Sequence, residues 1–250
     1  MKWLFVLLLL TASLHHTQAQ DITALIKEGN RLEAIPDENA AFHKFREVLK
    51  HQPLNMYALC RSSELCSRIG KRQTNPKVRA DYYNAAKTYA GIALKINPND
   101  ADANCVMAIA LGRSSMSKSG REKVETAREI KKHLDVSLNS DPTNFKTWHI
   151  LGRWEYEIAN LSGMERTIVK ILYGGIPPAS IKQSIIAFEK SRALQPGFLL
   201  NYLEMARAYK DDDQTQKAIY YLKHLLTLPN QTEDDPAIKE EARKYLAAWK

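Results

Sequence analysis

Five prolines, Pro53, Pro98, Pro142, Pro196 and Pro229, each close a stretch of helical spacing and divide the chain into similar segments. Proline ends a helix because it lacks an N–H and its ring collides with the preceding turn, so one recurring after similar amphipathic stretches marks a unit boundary. Such a chain stacks helix pairs side by side and needs no single central core. Its 250 residues, 44% hydrophobic and 26% charged, fit one elongated globular domain, not a disordered or fibrous chain.

Aligned on the prolines, bulky and small residues fall at fixed offsets. The first unit places Leu25, Leu32 and Phe45 at bulky positions, Gly29 and Ala41 where two helices cross closely, and Val48 before Pro53. The fifth repeats this with Tyr202, Met205, Ala206, Tyr209, Ala218 and Leu222 before Pro229. This is the pattern of the tetratricopeptide repeat, two antiparallel helices A and B in about 34 residues. The expectation is an all-α solenoid of about five helix pairs, with units near 22–55, 56–100, 101–144, 145–198 and 199–231. Ile238, Ala242, Tyr245, Leu246 and Trp249 then read as a capping helix over 235–250, with Pro236 in its first turn.

The proline intervals of 45, 44 and 54 residues before the final 33 place insertions between A and B of the three middle units. In units two and three they predict lengthened helices, with only the polar stretch Ser114–Gly120 suited to a loop. In unit four, Gly163 to Tyr173 predicts an amphipathic helix followed by a Gly174-Gly175 turn. Its Met164, Ile168, Ile171 and Leu172 are expected to fold back over their own repeat rather than form a docking surface, because exposed aliphatic residues invite aggregation.

Residues 1–19 obey another rule. Lys2 precedes an apolar run from Trp3 to Leu14, and Thr17 and Ala19 suit signal-peptidase cleavage before Gln20. The expectation is a signal peptide, a repeat domain over 20–250, and a mature product in a periplasmic or secreted compartment. The run is twelve residues, short of the roughly 20 that span a bilayer, so a membrane association is expected only if this leader stays uncleaved. Cys60 and Cys66 lie six apart on one expected helix, about 9 Å along its axis, too far for a bridge. Cys105 can approach either, but buried free thiols are the expected state.

The fourth unit carries Leu151-Gly152-Arg153-Trp154, then Tyr173-Gly174 followed by Pro177, then Leu194-Gln195-Pro196-Gly197-Phe198. Over about 145–210, and more weakly from 22 to 250, the chain resembles the regulator of microtubule dynamics family. That resemblance implies a helical-repeat protein with a non-enzymatic binding role at microtubules or organelle contacts. An export signal keeps a chain away from cytosolic tubulin, so an exported bacterial relative is the preferred account, and a leader-anchored membrane-contact adaptor is the alternative.

Free A-helix positions line the concave side of such an array. The expected partner groove is Arg113, Lys146, His149, Arg153, Tyr156, Arg207 and Lys210, with Ile150, Glu157, Leu200, Leu203 and Glu204 beside them. Basic heads next to aromatic and aliphatic surface suit a protein or peptide with acidic groups or a free carboxylate. A second candidate is a basic edge of Lys71, Arg72, Lys77, Arg79, Lys118, Arg121 and Lys123 at adjacent A–B turns, within a formal net charge of +8. The runs Asp211–Asp213 and Glu233–Asp235 read as turn and helix-start carboxylates that need no ligand. Asn160-Leu161-Ser162 and Asn230-Gln231-Thr232 match the glycosylation pattern.

No phosphate loop, paired metal-binding histidines, nucleophile elbow or paired-cysteine motif occurs; His15 and His16 are adjacent but belong to the leader, and the other five histidines are scattered along the chain. No catalytic residue, metal site or cofactor is expected, and no nucleic-acid partner.

Overall fold

The computed structural model describes residues 22–115 and 120–249; the expected leader and Lys118 lie outside these. Twelve helices follow one another and no strand occurs among the described residues. They are α1 (22–34), α2 (Glu38–His51), α3 (Met56–Arg72), α4 (Pro76–Ile96), α5 (Ala101–Ser114), α6 (Gly120–Ser140), α7 (Phe145–Ala159), α8 (Gly163–Tyr173), α9 (Ile181–Leu194), α10 (Leu199–Asp211), α11 (Thr215–Thr227) and α12 (Asp235–Ala248).

Polar residues placed just before the helices fix their starts. Asp37, Asn55, Asn75, Asp100, Asn144 and Ser180 each accept a backbone N–H of the first turn. The helices then pack in pairs: α3 on α4, α5 on α6, α7 on α9 across the inserted α8, and α10 on α11. The small residues mark the close crossings. A Cβ on Gly29 would lie 2.9 Å from the Phe45 ring, and one on Gly152 would lie 2.7 Å from Phe188. Phe45 and Phe188 are fully buried, so neither ring has room to retreat.

Apolar packing forms four clusters in succession rather than one centre. All three cysteines are buried and free, as expected. Burial pushes each thiol up to about 12, which leaves them packing groups.

The insertion of unit two lengthens both helices, to 17 residues in α3 and 21 in α4. That of unit three enters chiefly α6, with 21 residues against 14 in α5. In unit four the expected helix forms as α8, opened by a Ser162–Glu165 capping box and closed by Gly174 at φ 74°, a left-handed conformation that glycine adopts without cost. Arg128 of α6 donates to the carbonyls of Tyr173 and Gly175, and Arg166 donates to those of Ile158, Ala159 and Leu161 at the end of α7.

One expectation fails here. The apolar side of α8 does not fold back: Met164, Ile168, Ile171 and Leu172 are all exposed, and no α8 residue is fully buried. The polar anchors Arg128 and Arg166, with half-buried Val169 and Tyr173, hold the opposite side of the helix instead.

Candidate partner-binding groove

The array curls far enough that its last loop meets its first units. The backbone N–H of Glu38 donates to Glu233 at 2.7 Å, although 195 residues separate them, and Arg72 pairs with Glu233 at 3.1 Å and Asp234 at 3.4 Å. The hollow enclosed has a volume of about 620 Å³. It is lined by A helices α1, α3, α5 and α7, by Phe198 and Leu200 at the start of α10, by Asn230, Gln231, Thr232 and Asp234 before α12, and by Asp235 and Ile238 within it.

Charge on the α1–α3 side is internally matched. Glu38 is wholly buried and accepts from Arg68 and, at 2.7 Å, from Arg72. Glu33 accepts from Arg61 and, at 3.0 Å, from Arg68. Glu64 binds Arg61 at 2.7 Å and reaches across the hollow to Lys146 of α7 at 2.6 Å. Burial alone would raise the Glu64 pKa, but Arg61, Lys146 and Arg68 hold it well below the usual carboxylate range.

The α5–α7 side is different. Arg113 lines the hollow, is half-buried, and has no ion pair or hydrogen bond among the described residues. Burial and the neighbouring Arg153 cation lower its pKa, against weaker attraction from Tyr83, Asp234 and Glu204. Arg153 is only loosely held, 3.7 Å from Glu204 and 4.0 Å from Glu157. His149 is 2% exposed and its pKa is pushed down to about 3 by burial and by Arg153 and Arg113, so the ring is neutral. Asn201 Nδ2 donates to the Phe188 carbonyl, which leaves its Oδ1 to accept from His149 Nδ1 at 3.1 Å. His149 Nε2 is then a buried acceptor with no partner among the described residues.

The expected groove residues are therefore brought together in part. Arg113, Lys146, His149 and Arg153 line one hollow. Tyr156, Arg207 and Lys210 do not line it: Tyr156 donates to Asp211 at 2.6 Å, Arg207 bonds Glu204 at 2.9 Å and lies over the Tyr156 ring, and Lys210 bonds Thr215. Burial and Asp211 push Tyr156 up to about 12. Leu203 is core rather than groove. Nor are the retained cations free, Arg113 apart, because carboxylates from other units reach them. Sequence reasoning missed Arg61, Arg68 and Tyr57 on α3 and the whole 230–235 loop; A-helix spacing in unit two was the available signal for the first three.

The basic edge also changes. Lys71 and Arg72 turn toward Asp234, Glu233 and Glu38 at the mouth of the hollow, and Arg79 donates to the Gln73 carbonyl. Lys77 and Lys123 are exposed, and Arg121 is exposed beside Glu125. The acidic cluster at 233–235 does more than start a helix: Glu233 and Asp234 bind Arg72, while Asp235 accepts from the amides of Gln231 and Thr232. Asn230 lies in the wall of the hollow. Among the described residues no cluster of His, Cys, Asp and Glu is arranged to hold a metal ion, and no helix is long and apolar enough to cross a membrane.

Stacked helix pairs whose first helices line a charged hollow define a tetratricopeptide-type repeat protein, the architecture of interaction scaffolds. A thermophilic repeat protein of this type from Thermus thermophilus superposes with a TM-score of 0.64 at 15% identity, covering 90% of this chain and 99% of that one. The family described as Regulator of microtubule dynamics protein 1-3 matches residues 25–250, and the chain belongs to it. Regulator of microtubule dynamics protein 2 of Homo sapiens is 26% identical over 178 residues, 71% of this chain and 43% of that protein. Protein 3 of Xenopus laevis is 28% identical over 224 residues, 86% and 47% of the two, and protein 1 of Caenorhabditis elegans is 27% identical over 160 residues, 64% and 71%. The chain spans about half the length of the first two.

Proposed function

We propose that the chain is a non-enzymatic scaffold that receives an extended segment of a protein partner in the hollow, with an acidic group of that segment held by Arg113 and steadied by Arg153. The observation that carries this is the guanidinium of Arg113, which lines the hollow with no counter-ion among the described residues while the cations of α3 are all matched. An unpaired half-buried cation is costly to keep, and a carboxylate that forks onto it recovers that cost on binding. Phe145, Phe198, Ile150 and Leu200 around the hollow supply apolar surface for flanking side chains. The test is selection of acidic peptides on the immobilised protein. Arg113→Glu should abolish retention of the selected peptides, while Lys77→Glu on the outer edge should leave it unchanged; equal retention by both variants would reject the groove.

Export after cleavage before Gln20 is part of the same proposal, supported by the sequence of residues 1–19. Family membership favours a second reading, an adaptor at membranes or microtubules anchored by an uncleaved leader. Sequencing the amino terminus of the purified protein separates them: Gln20 first supports export, and Met1 retained supports the anchored adaptor.

A further inference from the structure

We infer that the loop before α12 plugs the mouth of the hollow, its Glu233 and Asp234 occupying a second anion subsite, Lys71 and Arg72, that an acidic partner segment takes over on entry. This rests on the groove reading above and adds its point of entry and its control. The loop stands where such a segment would stand. Arg72 meets Glu233 at 3.1 Å and Asp234 at 3.4 Å, and Lys71 meets Asp234 at 3.4 Å. Asp234 lines the hollow and also attracts Arg113. An incoming carboxylate run therefore finds the mouth cations already holding groups of its own chemistry.

The junction is built to part. Among the described residues no buried apolar cluster spans it: Ile238 and Ala242 of α12 belong to the cluster of α7 and α9–α12, and the buried residues of α2 and α3 belong to others. What crosses is the three ion pairs and two reciprocal bonds, from the Glu38 N–H to Glu233 at 2.7 Å and from the Glu233 N–H to Glu38 at 3.4 Å. Parting strands no buried charge. Glu38 keeps Arg68 and Arg72, while Glu233, Asp234 and Lys71, with side chains 28%, 16% and 38% exposed, pass to water or ligand. Part-exposed pairs of this kind hold weakly. Exchanging one carboxylate for another on the same cation also alters the balance little, so the plug sets how fast a segment enters more than how tightly it stays.

Binding kinetics of a labelled hexaglutamate peptide to the full chain at low salt test this. Glu233→Gln with Asp234→Asn should raise the association rate about fivefold and leave dissociation within about twofold of the parent. Glu240→Gln with Glu241→Gln changes the charge equally at exposed positions of α12 outside the lining of the hollow, and should leave both rates near the parent's. In the parent itself, hexaglutamate should speed hydrogen exchange at the Glu38 amide, whose bond to Glu233 it displaces. Arg113→Glu separates this from the groove reading. If that variant loses binding while the neutralised loop binds no faster, the groove stands and the plug falls. A faster loop variant whose binding survives Arg113→Glu keeps the plug and removes the anchor within. Equal gains from both neutralised pairs, an unchanged Glu38 amide, or no binding to any variant overturns the plug.

Discussion

The two sides of the hollow carry similar residues and do opposite things. Around α3, three arginines and the carboxylates of Glu33, Glu38 and Glu64 form a closed network joining α1, α2, α3 and α7. Around α5, Arg113 stands with Arg153 and a neutral His149 and finds no carboxylate of its own. The difference shows where the array uses charge to hold its own curvature and where it leaves charge for a ligand. A cation already matched by a buried carboxylate gains little from a new partner, whereas an unmatched one gains most of what desolvation has cost it.

The sharpest way to break the comparison is on the matched side. Glu38→Ala removes the wholly buried carboxylate that Arg68 and Arg72 share, leaving Arg68 to Glu33 and Arg72 to Glu233 and Asp234, and should cost about 3 kcal/mol in denaturant unfolding. It should also free the 230–235 loop, seen as faster amide exchange there. An unchanged midpoint would mean the network closes nothing.

Next in size is a pH effect on the open side. The folded-state pKa of His149, about 3, lies below its ordinary 6.5, so the unfolded chain binds the extra proton. The stability it contributes is full above pH 6.5 and declines as pH falls toward 3, about 2 kcal/mol between pH 7 and 5. His149→Gln should flatten that slope and leave the separate loss below pH 4.5, where Glu64 begins to protonate in the unfolded chain. A slope unaltered in the variant would place the titration elsewhere.

The smallest expected change is at Arg113. Arg113→Met keeps an apolar stem and removes a charge that nothing balances, so the unfolding midpoint should stay within about 0.5 kcal/mol of the parent or rise. A loss as large as that of Glu38→Ala would show that Arg113 is structural and would merge the two sides.

Much of this molecule was legible in the chain. Gly29 under Phe45 and Gly152 under Phe188 sit where the repeat pattern puts small residues against large ones, and Gly163–Tyr173 forms the inserted helix that its spacing predicts. Those features depend on neighbours within one or two units. The pairing of Lys146 with Glu64 and of Glu38 with Glu233 spans 82 and 195 residues and follows from curvature accumulated over several units. No single unit encodes it, so groove cations taken as free proved to be bonded, and Lys71 and Arg72 moved from an outer edge to the mouth of the hollow. The outward face of α8 was misjudged for a related reason: periodicity shows that a helix has an apolar side, and only its anchors show where that side points.

The chain by itself determined the repeat, the helix pairs, the close crossings and the place of each insertion, because these rest on local spacing and on steric limits at glycine and proline. The tertiary structure alone decided which charges meet, which arginine is left over and which way α8 faces, because those depend on small rotations summed along the array rather than on any residue's own preference.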